Sequence, residues 1–142
     1  MNNALPITVC SAFIVLALWH FYMAFASHAG VGAAVPSVDG KPLFIPTKKM
    51  TVALGVALLL FALLVAATGG LFSLGVPDVL LTWLSYALAL GLFARAIGDF
   101  KYVGFFKRVR DSRSAELDTL LFSPLCLLLA VGVAAIALQR YA

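Results

Sequence analysis

The chain has 142 residues, of which 63% are hydrophobic and 11% charged, with a mean hydropathy of +1.07. A soluble domain carries about 25% charged residues, and so short a chain has proportionally more surface to cover, so water is excluded as the main solvent and lipid is the alternative. The net charge of +4 arises from ten Lys and Arg against six Asp and Glu; the cations cluster between apolar runs, which reads as membrane topology and argues against nucleic acid as a partner.

The first apolar run, Leu5 to Ala26, resembles a signal peptide in its Ala24-Phe25-Ala26 triplet. It is longer than a signal core of about 7–15 residues, and no Lys or Arg precedes it, so it reads as a retained span. In the segment 27–49, Asp39-Gly40 stands between Pro36-Ser37-Val38 and Lys41-Pro42. Asp-Gly is a favoured hairpin turn, and Pro42 and Pro46 restrict any strand to a short edge. Leu43, Phe44 and Ile45 are apolar enough to dip into the interface or cap a bundle. Thr47 is placed to N-cap the next helix. The second run is Met50 to Phe72, the third Val79 to Gly98 and the fourth Leu120 to Leu138. Each approaches the ~20 residues that cross a bilayer core. They are apolar on all sides, as spanning helices are and alternating barrel strands are not. The expected fold is an all-α integral membrane domain over residues 1–142, a four-transmembrane-helix bundle with a short hairpin in its first loop.

Small residues recur every four positions: Ala62, Ala66 and Gly70 in the second span, Ala87 and Gly91, then Ala94 and Gly98, in the third, and Ala130 and Ala134 in the fourth. This spacing lets helices approach closely in lipid, within one bundle or in a homo-oligomer. In the fourth span, Ser123-Pro124 predicts either a kink in a helix begun near Ser114 or a new helix starting at Pro124, and the kinked or broken helix leaves the fuller span. Cys10 and Cys126 fall at different depths, roughly 10 Å apart at 1.5 Å per residue, so they read as packing residues and not as a disulfide.

Orientation follows from the loops. Lys41, Lys48, Lys49, Lys101, Lys107, Arg108, Arg110 and Arg113 lie on one side, and only Arg140 on the other. The positive-inside rule places both basic loops in the cytoplasm and both termini outside, N-out and C-out. Trp19, Tyr22 and Tyr102 then mark the inner interface, Trp83 and Tyr141 the outer one.

Polar side chains from every helix meet at the cytoplasmic depth. Arg95 and Asp99 lie four apart on the third helix and share a face. His20 enters from the first helix, Asp118 and Ser123 from the fourth. Ionisable groups inside a membrane are costly and point to function, although an Arg–Asp pair near a helix end also serves as an interfacial anchor, and His20 can satisfy a backbone carbonyl. The segment 100–110 interleaves aromatics with Lys101, Lys107, Arg108 and Arg110, which suits anionic lipid headgroups. No metal-ligand spacing, P-loop or nucleophile motif is present. His20 and His28 flank one span and make no bis-His haem pair, so no cofactor is expected.

The stretches His20-Phe21-Tyr22, Gly40-Lys41-Pro42-Leu43-Phe44-Ile45-Pro46, Arg95-Ala96-Ile97-Gly98-Asp99-Phe100, Val103-Gly104-Phe105-Phe106-Lys107-Arg108, and Asp118 with Ser123-Pro124-Leu125-Cys126 resemble a family of small four-span bacterial membrane proteins catalogued as a domain of unknown function. The resemblance covers nearly the whole chain and implies a bacterial cytoplasmic (inner) membrane. It brings no activity with it. Phe122 precedes Ser-Pro where the family pattern carries Tyr.

Three functional expectations remain. The first is binding or transport of a small anionic molecule or lipid headgroup at the cytoplasmic pocket, with Arg95 as the main cation and His20 and Asp99 orienting it. The second is a membrane-embedded lipid-modifying or isomerase-type enzyme in which His20 and Asp99 or Asp118 share acid–base work. The third is a structural or partner subunit whose polar layer fixes helix register.

Overall fold

The four apolar runs fold as four helices. A computed structural model describes residues 2–26, 37–38, 41–42, 47–97 and 121–142. Helix α1 spans Ala4–Phe25, α2 Lys48–Thr68, α3 Asp78–Ile97 and α4 Ser123–Tyr141, with 22, 21, 20 and 19 residues. At 1.5 Å per residue these lengths match a hydrocarbon core of about 30 Å. All four are long and apolar enough to cross a membrane, so the chain has the architecture of a multi-pass membrane protein. Between α1 and α2, strand β1 (Ser37–Val38) pairs antiparallel with β2 (Lys41–Pro42), Ser37 opposite Pro42 and Val38 opposite Lys41. This is the expected hairpin, with two residues between its strands.

The helices pack as two antiparallel hairpins, α1 on α2 and α3 on α4. Helix α1 buries Pro6, Val9, Phe13 and Ala17, a stripe at helical spacing. Its other faces carry exposed Ile14, Val15 and Leu18, as a helix surrounded by lipid does. The stripe meets glycines on its partners: a Cβ on Gly69 would stand 2.5 Å from Pro6 Cβ, one on Gly55 2.8 Å from Phe21 Cε1, and one on Gly132 2.8 Å from Val9 Cγ2. Val9, Phe13, Ala62, Val65, Leu129, Val133 and Ile136 form the core with Ala89. Most of these lie nearer the end of the bundle that holds Ala4, Thr68, Asp78 and Tyr141. That end is called the terminal end below, and the opposite one the loop end.

Helix boundaries follow local chemistry. Thr47 caps α2 as expected, its hydroxyl accepting from Met50 N at 3.2 Å. The second span ends at Thr68 and not at Phe72. Gly70 takes a left-handed φ of 74°, which only Gly adopts at little cost. Leu71 N then bonds to Ala66 O and Gly70 N to Ala67 O, the paired closure of a Schellman stop. Leu71 and Phe72 are apolar but lie beyond it. Asp78 in the first turn of α3 faces the positive end of that helix dipole.

At the start of α4, Leu121 and Phe122 have π-helical geometry and run directly into Ser123. Pro124 lacks an N–H and its ring would collide with the carbonyl four residues back, so the winding changes there. The described part of the fourth span is thus helical backbone with a break in its winding. It reaches Tyr141 and not Leu138.

The small-residue pattern holds in part. Ala62, Ala66 and Ala130 are buried, and Ala134 is half-buried. Ala87, Gly91 and Ala94 are exposed, and a Cβ on Gly91 would meet nothing within 4 Å. Helix α3 turns Leu81, Ser85, Ala89 and Ala96 inward instead. Gly98 lies outside the described residues.

Candidate functional site

Three of the expected residues stand at the loop end. His20 is five residues from the end of α1, Arg95 two from the end of α3, and Ser123 opens α4. Ser123 is fully buried. Arg95 is half-buried, with Nη1 entirely covered. His20 continues the buried stripe of α1 one turn beyond Ala17 and is half-buried. Its Nδ1 lies 2.7 Å from Leu16 O. A carbonyl only accepts, so Nδ1 carries the hydrogen and Nε2 is the ring atom left for chemistry. Among the described residues, no hydrogen bond ties His20 to Arg95 or Ser123. The carboxylates Asp99 and Asp118 and the cations Lys101, Lys107, Arg108 and Arg110 lie outside the described residues, as do Tyr102, Leu43, Phe44 and Ile45.

Lys48 Nζ sits 4.3 Å from the centre of the Phe25 ring. This cation–π contact joins the last turn of α1 to the first of α2. Trp19 and Tyr22 pack with ring centres 5.8 Å apart on the exposed side of α1. They stand at the loop end, and Trp83 and Tyr141 at the terminal end.

The terminal end carries a polar network that composition and loop charge alone do not reveal. Arg140, in the last turn of α4, pairs with Asp78 at the start of α3. Its Nη1 also donates to Ala67 O at 3.2 Å and Thr68 O at 3.3 Å. These carbonyls belong to the last turn of α2, where a cation is favoured by the helix dipole. One side chain therefore ties three helices together. Beneath it, Thr68 and Ser85 share a fully buried hydroxyl contact of 2.8 Å, with Leu81 O 3.5 Å from the Thr68 hydroxyl. If Ser85 donates to Thr68 and Thr68 to Leu81 O, both hydroxyls are satisfied. Thr82 returns its hydroxyl to Asp78 O at 2.8 Å. The signal for this network was present as an acid at one helix start and a base at another helix end on the same side.

Two cavities lie along the seam between α3 and α4. One, about 240 Å³, is lined by Val79, Thr82, Trp83, Tyr86 and Tyr141 at the terminal end. The other, about 330 Å³, is lined by Ala89, Leu90, Phe93, Ala130, Val131 and Ala134, deeper in the span. Neither includes His20, Arg95 or Ser123.

Four helices able to span a membrane, with polar groups at both ends, define a small multi-pass membrane protein with no recognised catalytic arrangement among the described residues. The model of the family DUF3995, described as a protein of unknown function, matches residues 13–133, and the chain belongs to that family. No curated protein and no solved structure matches it.

Proposed function

We propose that this is a multi-pass protein of a bacterial cytoplasmic membrane, with both termini outside, that holds or moves a small anion or anionic lipid headgroup at the loop end. The observation that carries this reading is Arg95. It is the one charged residue of α3 beyond the first turn, and its Nη1 is covered by protein instead of extending to water. A guanidinium is charged at every accessible pH and forks onto carboxylate or phosphate oxygens. Lys48, Lys49, Lys101, Lys107, Arg108 and Arg110 add a cationic rim in the sequence on the same side, which favours anions over neutral ligands.

The test is a thermal-unfolding screen of purified protein against inorganic phosphate, small carboxylates and anionic phospholipids. Ligand-dependent stabilisation should persist in Arg95→Lys in weakened form and vanish in Arg95→Gln. Identical shifts in wild type and Arg95→Gln remove the anion-site reading.

A structural role is the second reading, favoured by His20. Its hydrogen bond returns to its own helix at Leu16 O, as a polar residue does when it only satisfies itself in lipid. On that reading His20→Ala and Arg95→Ala lower stability and bring no other defect.

A further inference from the structure

The α3–α4 seam carries a mostly aromatic cavity at the terminal end and a mostly aliphatic one deeper in the span. The upper cavity is walled by three aromatic side chains, Trp83, Tyr86 and Tyr141. Trp83 and Tyr86 stand edge to face, with ring centres 6.3 Å apart and planes at 71°. Rings set at such an angle give a shared cavity more than one π surface, and aromatic faces are negative.

The rim adds a carboxylate. Asp78 precedes the lining residue Val79, and its partner Arg140 precedes the lining residue Tyr141. The two charges are not equally presented: the Asp78 side chain is 69% exposed and that of Arg140 23%. Arg140 also turns inward onto the carbonyls of Ala67 and Thr68. The pair is neutral as a whole, and its more exposed member is the Asp78 carboxylate, so an approaching ammonium meets an acceptor oxygen before it meets the guanidinium.

Below the cage the lining changes. The lower cavity has only aliphatic side chains and Phe93. Val79, Trp83, Tyr86, Leu90 and Phe93 follow one another at three- and four-residue steps, so both cavities lie along one track of α3. From Tyr86, the innermost residue of the cage, to Phe93 the track runs about 10 Å at 1.5 Å per residue, which accommodates the upper part of one acyl chain.

We infer that this seam is a specific site for a phospholipid with an ammonium headgroup, its ammonium on the Trp83, Tyr86 and Tyr141 faces beside Asp78 and one chain in the groove past Leu90 and Phe93. This site is at the opposite end of the bundle from Arg95 and selects the opposite charge, so it stands or falls independently of the anion site.

The chain has two tryptophans, so Trp19→Phe leaves Trp83 as the only indole. This variant is placed in bilayers of unlabelled phosphatidylglycerol containing a small, increasing fraction of either phosphatidylethanolamine or phosphatidylglycerol with identical brominated chains. Quenching of Trp83 should saturate at lower mole fraction for the ethanolamine lipid, with a preference of about two- to fivefold, the range of one exposed cation–π contact. Tyr141→Ala and Tyr86→Leu should each abolish that preference while leaving total quenching at high brominated-lipid content unchanged. Tyr141 is largely exposed, so its removal tests the cage without loss of core. Tetramethylammonium chloride should relieve the ethanolamine-specific quenching, and sodium chloride at equal ionic strength should not. Equal quenching by the two lipids, preference for phosphatidylglycerol, or a preference unchanged in both Tyr variants overturns the assignment, because Trp83 then contacts bulk lipid only.

Discussion

Arg140 joins α4 to α2 and α3 through one guanidinium. The group donates to a carboxylate and to two carbonyls in the last turn of α2, of which Ala67 O also accepts from Gly70 N. Hydrogen bonds to charged groups contribute about 1.5–3 kcal/mol, more than a neutral pair. Arg140→Met should therefore lower the unfolding free energy in mild detergent by roughly that amount. Ser85→Ala removes only a neutral interhelical contact, and such contacts in membranes average about 0.6 kcal/mol. Equilibrium unfolding by a denaturing detergent should rank Arg140→Met well below Ser85→Ala. Equal losses would mean that the Arg140 bonds exchange freely with water. Counting loop charges marks Arg140 as the one cation on its side and stops there. Its structural role depends on the end of α2, which lies 72 residues away from it in the chain at Thr68, and no local pattern connects the two.

Glycine does opposite things on different helices, and substitution exposes the difference. A methyl group at Gly69 would strike the Pro6 ring at 2.5 Å. Both partners are rigid, since one is a proline and the other closes α2, so Gly69→Ala should cost about 1–3 kcal/mol by overpacking. At Gly55 the obstacle is the far edge of Phe21, at 2.8 Å. That ring can turn, and the cost should be smaller. Gly91 faces open space in the middle of α3, so Gly91→Ala should raise stability by up to about 1 kcal/mol through helix propensity alone. Thermal unfolding of the three variants tests the order: Gly69→Ala below Gly55→Ala, and Gly91→Ala at or above wild type. Sequence alone groups Gly91 with Ala87 as a packing face, because a repeat of four fixes only that residues share a side and not which neighbour is there. The same limit applies at the end of α2. Hydropathy runs on through Leu71 and Phe72, whereas the left-handed Gly70 stops the helix. Thr47 was legible because an N-cap is a local interaction between a side chain and a backbone N–H three residues ahead. For the candidate site, the placing of His20, Arg95 and Ser123 at the same end of the bundle was legible because it follows from the order of the spans. The direction of the His20 hydrogen bond was not, since a rotamer choice determines it.

For the whole molecule, the outstanding question is which end of the bundle faces the cytoplasm, and the charge distribution gives a sharp expectation. The segments at the loop end carry eight Lys and Arg, and the terminal end carries Arg140. Arg140 is moreover neutralised by Asp78, which further weakens the only cation opposing the bias. Orientation is set chiefly by Lys and Arg in short loops near the span ends, and both basic segments are short. A reporter fused after Ala142 should therefore behave as an external one in a bacterial host: alkaline phosphatase active, green fluorescent protein dark. A reporter fused after Arg110 should behave in the opposite way. Replacing Lys107, Arg108 and Arg110 by Gln should weaken this pattern and give mixed populations, whereas Arg140→Gln should not. The reverse pattern in the unmodified chain would put Arg95 on the outer side. An anion site supplied from the cytoplasm would then be untenable, and the aromatic cage at Trp83 and Tyr141 would be the one facing inward. Orientation thus decides which of the two ends meets cytoplasmic ligands, independently of what either end binds.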